Sequence, residues 1–255
     1  YRDDASHMTK SFQTGIAARN GISAALFARS GFRGPPDVLT GRHNVVQAFG
    51  GVEADANVLV AGLGQRYAMR ETTFKRHASC SQTHAAVDAL LALMSEKKIG
   101  FDSIERMEVQ LGHDAVSKVS GHALFTHNVE YVVALAAHEG RVGLEQFTPK
   151  CTGNPRIRNL ADKVSVRGSD ELQRFPERRG AIVTVVTPGG TFVSQCDAPL
   201  GSPFRPLNQE ELADKFLTLA SSVLDRSAAS SLWLALHTMK QGDLMAPVFD
   251  MLSAG

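Results

Sequence analysis

Two strand-like runs, Ala181 to Thr187 and Thr191 to Cys196, flank Pro188-Gly189-Gly190. A turn of that kind between such runs specifies a β-hairpin. The hairpin constrains the whole chain, because both of its ends read as helix. From Thr9 to Ser30, the residues Gly15, Ala18, Gly21, Ala25 and Ala28 recur at spacings of three and four, a stripe that lets another helix approach closely. The pattern predicts one helix that stops at Ser30-Gly31-Phe32, with Gly31 left-handed and Phe32 folded back onto Phe27. Towards the other end, Asn208 and Glu211 form a capping-box pattern ahead of a helix from about Gln209 to Leu224, and Ser230 to Leu252 also reads as helical.

The middle of the chain changes period. A strand is expected from Arg66 to Phe74, then a helix from Cys80 to Lys97 with Val87, Leu90, Leu91 and Met94 on one face. Alternation predicts a strand over Ile104 to Leu111, and short helices over Val129 to Ala137 and Arg156 to Val164. The order helix, mixed block, helix is met most simply by an α+β domain inserted into a helical one. The expected division is residues 1–73 as part of the helical domain, 74–200 as the α+β domain, and 201–255 as helices returning to the helical domain.

Charge narrows the function. Lys and Arg number 27 against 26 Asp and Glu, a net +1, which argues against a nucleic-acid or membrane-surface role because both need a basic excess. The longest uncharged run, Gly180 to Cys196, is broken by the Pro-Gly-Gly turn, so no segment reads as a membrane span. Cys80, Cys151 and Cys196 are odd in number and lie far apart without a C-x-x-C pair, which favours a reducing cytoplasm over a disulfide framework. Gly62-Leu63-Gly64 and Gly189-Gly190 lack the strand and helix of a dinucleotide fingerprint, and there is no G-x-S-x-G elbow or P-loop lysine. No cofactor is expected.

The most informative window is Lys75-Arg76-His77-Ala78-Ser79-Cys80-Ser81-Gln82-Thr83-His84. Ser79 as N-cap and Gln82 as its N3 partner would place Cys80 at the first helical position. The free N–H groups there, with Lys75 and Arg76, would attract a carboxylate and favour a thiolate. Read structurally instead, Cys80 is an inert buried thiol, the two cations are solvated and His84 is a satisfied surface histidine. His77, Cys80 and His84 have metal-like spacing but no fourth ligand, so no metal is expected. His122 and His127 read as solvated or capping.

Further motifs carry a resemblance. Met8-Thr9-Lys10 followed by Gly15 and Ala17-Ala18-Arg19-Asn20-Gly21, the Lys75 to His84 window with Asp88-Ala89, Tyr131-Val132-Val133-Ala134, and Pro206-Leu207 with Lys215-Phe216 together resemble the MmgE/PrpD family. That resemblance implies a helical domain carrying an inserted α+β lid, homodimers, and lyase or epimerase chemistry on a citrate-like di- or tricarboxylate. It implies Lys10, Cys80 and His84 as catalytic positions and Lys75, Ser79 and Tyr131 as substrate-binding ones. Dehydration of 2-methylcitrate is the first expectation, with cis-aconitate-type decarboxylation or epimerisation as alternatives. Family members are much longer, and by this likeness the chain begins late in the first helical domain. A non-catalytic binding or dimerisation module, or association with a separate N-terminal half, is the competing class.

Overall fold

The computed structural model describes residues 3, 8–39, 41–42, 44–51 and 53–253, with backbone alone at 10, 11, 56 and 253. The chain divides into two compact units, Tyr1–Thr72 and Thr73–Gly255.

The first unit holds α1 (Thr9–Arg29) and α2 (Val45–Gly50), followed by single 3-10 turns at Ala56–Leu59 and Ala68–Glu71. The end of α1 is the one expected. Gly31 has φ of +91°, its N–H reaches the Ala28 carbonyl, and the Phe32 N–H reaches that of Phe27. The Phe27 and Phe32 ring centroids are 6.1 Å apart, the apolar contact that accompanies such an ending. The strand expected over Arg66 to Phe74 is absent. Arg66 folds back onto Glu71 at 2.8 Å, and the chain between them closes into a 3-10 turn with no neighbouring strand to pair. Among the described residues of this unit only Asn44 is buried, and the small-residue stripe of α1 is exposed along its length.

The second unit contains α3 (His84–Lys97), β1 (Arg106–Leu111), α4 (His113–Val119), α5 (Val129–Glu139), α6 (Pro149–Thr152), α7 (Pro155–Ala161), β2 (Val164–Gly168), α8 (Asp170–Gln173), β3 (Ala181–Thr187), β4 (Gly190–Cys196), α9 (Gln209–Ala220), α10 (Arg226–Thr238) and α11 (Ala246–Ser253). The strands form one mixed sheet in the order β2-β1-β3-β4, with β1 parallel to β2 and antiparallel to β3. The hairpin pairs Thr187 with Gly190 and Ala181 with Cys196.

Alternation buries Met107, Val109 and Leu111 of β1 beside Ala181, Val183 and Val185 of β3. The core is completed by α3 and α5, whose Val87, Leu90, Val132 and Leu135 are fully buried. The helix expected over Arg156 to Val164 stops at Ala161. Val164 instead opens β2, which pairs with β1 at Met107. The predicted tail helix is two helices, separated where Gly242 takes φ of +95° and the Lys240 N–H donates to the Asp243 carboxylate. The Asn208–Glu211 capping box is formed as expected. Residues 201–255 group with the sheet in this second unit.

Candidate active site

The segment from Phe74 to His84 is fixed mainly by its backbone. The N–H of Phe74 donates to the Gly201 carbonyl at 2.8 Å, that of Ala78 to Val142 at 2.9 Å, and that of Cys80 to Thr126 at 2.8 Å. Gly201 has φ of +95°, and a Cβ there would lie 2.0 Å from the Phe74 oxygen, so only glycine fits.

Ser81–Thr83 forms a 3-10 turn, and α3 begins at His84. The expected capping is therefore corrected. Ser79 does not cap the helix, and Cys80 lies before it in extended backbone with its N–H already bonded to Thr126. The Thr83 hydroxyl donates to the Cys80 carbonyl at 2.8 Å, which leaves Ser79 to donate to Thr83 Oγ1, also at 2.8 Å. The Cys80 N–H is thus taken by the Thr126 carbonyl, and Cys80 stands outside the first turn of α3 where the sequence had placed it.

Two histidines and an aspartate lie behind this loop. His77 Nε2 is 2.9 Å from Asp88 Oδ1, and Asp88 Oδ2 accepts from the Leu200 N–H at 2.8 Å. Arg205 stands 3.8 Å from the same carboxylate. Burial works to raise the Asp88 pKa, but the bonds from His77 and Leu200 and the nearby cations outweigh it and hold the group below the usual value. His84, 1% exposed, meets the His77 ring edge-on at 5.2 Å, and its Nε2 lies 3.4 Å from the Ser79 carbonyl. Burial, followed by the neighbouring His77, lowers its pKa from 6.5 to about 4. The imidazole is therefore neutral at physiological pH.

The remaining candidates sit as follows. Lys75 is exposed and donates to the Ser79 carbonyl at 3.2 Å, while Cys80 is half-buried. Tyr131, on the first turn of α5, is 2% exposed, and its hydroxyl has no hydrogen-bond partner among the described residues. Burial pushes its pKa up to about 12. It lines a cleft of about 410 Å³ with Phe125, Asn128 and Arg158. The backbone of Lys10 lies in the first turn of α1, in the first unit, and its side chain lies outside the described residues.

Within the second unit, the fold brings Lys75, Ser79, Cys80 and His84 into one loop-and-helix corner. Sequence reasoning missed what surrounds that corner. His122, read as solvated or capping, is buried with its Nδ1 accepting from the Leu124 N–H, and its ring lies 5.1 Å from that of His127, next to the Thr126 that holds Cys80. Asp88 was visible only as a motif letter, since nothing local reveals its bonds to His77 and Leu200.

Comparison with known proteins identifies the family. Residues 77–241 match the MmgE/PrpD C-terminal domain. The chain belongs to the MmgE/PrpD family. It is 27% identical over 243 residues to the human (Homo sapiens) cis-aconitate decarboxylase, covering 90% of this chain and 50% of that protein. It is 27% identical to the cis-aconitate decarboxylase-like protein oryM of Aspergillus oryzae, covering 86% and 49%. To the cis-aconitate decarboxylase of Aspergillus terreus it is 25% identical, covering 96% and 55%. The chain spans about half the length of the curated relatives it matches. Among the described residues no helix is long and apolar enough to cross a membrane.

Proposed function

We propose that this chain handles a citrate-like di- or tricarboxylate in lyase chemistry, with decarboxylation of a cis-aconitate-type acid as the reaction. The observation that carries the reading is the corner at Lys75 to Cys80, where an exposed ammonium and a half-buried thiol lie on a loop pinned by three backbone hydrogen bonds. The names of the relatives favour decarboxylation over the 2-methylcitrate dehydration expected from sequence.

In this reading Lys75 neutralises a substrate carboxylate. Charge-assisted donors of that kind both anchor a substrate and stabilise negative charge that develops as CO2 leaves. Protonation of the resulting carbanion needs a donor at the reacting carbon, the role assigned to Cys80. Neutral His84 acts from behind through the Ser79 carbonyl, which also accepts from Lys75, and Tyr131 is the remaining binding residue. Calorimetric titration with cis-aconitate and citrate tests the reading. Lys75→Met should weaken binding about tenfold, the value of one charged hydrogen bond. Unchanged affinity in that variant would remove the lysine from the site.

Association is part of the same reading. Phe12, Phe49, Met69, Val223 and Leu244 are among the apolar side chains left exposed. A second copy, or a polypeptide supplying the remaining length of the relatives, would cover such surface. Light scattering tests this, and a monodisperse monomer that is active by itself would contradict it.

A further inference from the structure

We infer that Lys215 is a second ammonium of the carboxylate site, facing Lys75 across the corner between α9 and the Phe74–His84 loop. The inference rests on the carboxylate reading above and adds a residue to it.

Arg76, next to Lys75 in the loop, pairs with Glu211 of α9 at 3.6 Å. Glu211 is itself held in place, because its carboxylate also accepts the Asn208 N–H at 3.0 Å in the capping box. Lys215 stands four residues after Glu211, so it shares that face of α9 one turn further on. Lys215 therefore lies one turn beyond the point where α9 meets the loop at Arg76, the residue next to Lys75. Neither Lys75 nor Lys215 has a carboxylate within ion-pair distance among the described residues.

Lys215 is half-buried, and partial burial followed by repulsion from Lys75 lowers its pKa. Two like charges brought together at a partly desolvated corner disfavour the empty protein. They favour a ligand that carries two or more carboxylates at short separation, because one such molecule neutralises both. A monocarboxylate satisfies only one ammonium. The site so formed selects polycarboxylates by charge count, with Lys75 and Lys215 taking different carboxylates of one molecule.

Two measurements on the full chain test this. In the first, reductively 13C-methylated lysines are titrated by NMR with no ligand present. Lys75→Met should move the Lys215 midpoint upward towards the ordinary lysine value, and an unmoved midpoint would overturn the inference whatever the protein binds. In the second, citrate, succinate and acetate are titrated calorimetrically. Lys215→Met should lose about tenfold in citrate affinity, Lys215→Arg should retain most of it, and acetate binding should change little in either. If wild type binds citrate and Lys215→Met binds it equally, the inference fails while the carboxylate reading stands. If wild type binds none of the three acids, the carboxylate reading fails and takes the ligand part of the inference with it.

Discussion

His77 and Asp88 are joined by a 2.9 Å bond between Nε2 and Oδ1, and through the other oxygen of the same carboxylate they reach the Leu200 N–H at 2.8 Å. The loop that carries Lys75, Ser79 and Cys80 is thereby tied to the segment that leaves the sheet after β4. The backbone bond from Phe74 to Gly201 joins the same two segments.

Asp88→Asn keeps the shape but turns one accepting oxygen into a donor. Either the His77 bond or the Leu200 bond then meets donor with donor, at a cost of about 2–3 kcal/mol for a buried charged partner. Urea unfolding should show that loss. The 15N shifts of His77 should show its proton leaving Nε2, or the ring detaching. Unchanged stability with an unchanged tautomer would mean that the pair is incidental.

His84 predicts a stability profile with a definite sign. Its folded pKa of about 4 lies below the unfolded 6.5. Between those values the unfolded chain binds a proton that the folded one refuses, so stability falls as pH drops through that window and is unaffected above it. The loss amounts to about 3 kcal/mol by pH 4. Asp88, held low, acts in the same direction but below the ordinary aspartate value of 3.8. Chemical denaturation at pH 7.5 and pH 4.5 measures the effect. His84→Gln should flatten the window, and a wild-type profile that is already flat would show that the imidazole is not desolvated.

Removing the unpartnered hydroxyl of Tyr131 should cost the free protein nothing. Tyr131→Phe deletes a buried polar atom that has no hydrogen-bond partner among the described residues, so stability should hold or rise by about 1 kcal/mol. A fall in melting temperature corresponding to more than about 1 kcal/mol would reveal a hydrogen bond on that oxygen.

Gly201→Ala tests the crossing of the two segments. Its left-handed backbone and the Phe74 oxygen 2.0 Å from the added methyl leave no relaxed solution, so a loss on the order of 3 kcal/mol is expected in thermal unfolding. A near-neutral variant would show that the two segments part easily.

What could be read from the sequence was what is decided within a few residues. The Gly31–Phe32 ending of α1, the Asn208–Glu211 box and the Pro188-Gly189-Gly190 hairpin are local, and they form as their residues dictate. β2 was hidden because Val164–Gly168 is short, carries Arg167 and becomes a strand only by pairing with β1. The capping expected at Ser79 failed for a related reason. Its pattern fits a helix start, but the Cys80 N–H is claimed by Thr126 from far along the chain, and α3 starts later. The candidate site residues are visible in the sequence as a motif and not as an arrangement. The burial of His84, the bond from His77 to Asp88 and the approach of α9 to Arg76 are tertiary outcomes with no local signature.

The central claim, that a polycarboxylate sits at the Lys75–Cys80 corner, is tested most directly by the alkylation rate of each cysteine with and without cis-aconitate, resolved by mass spectrometry. The account predicts that cis-aconitate slows Cys80 selectively, leaving half-buried Cys151 and buried Cys196 unchanged, and that Lys75→Met abolishes the protection. Alkylation of Cys80 at one rate across saturating cis-aconitate and citrate, or equal slowing of all three thiols, would contradict it.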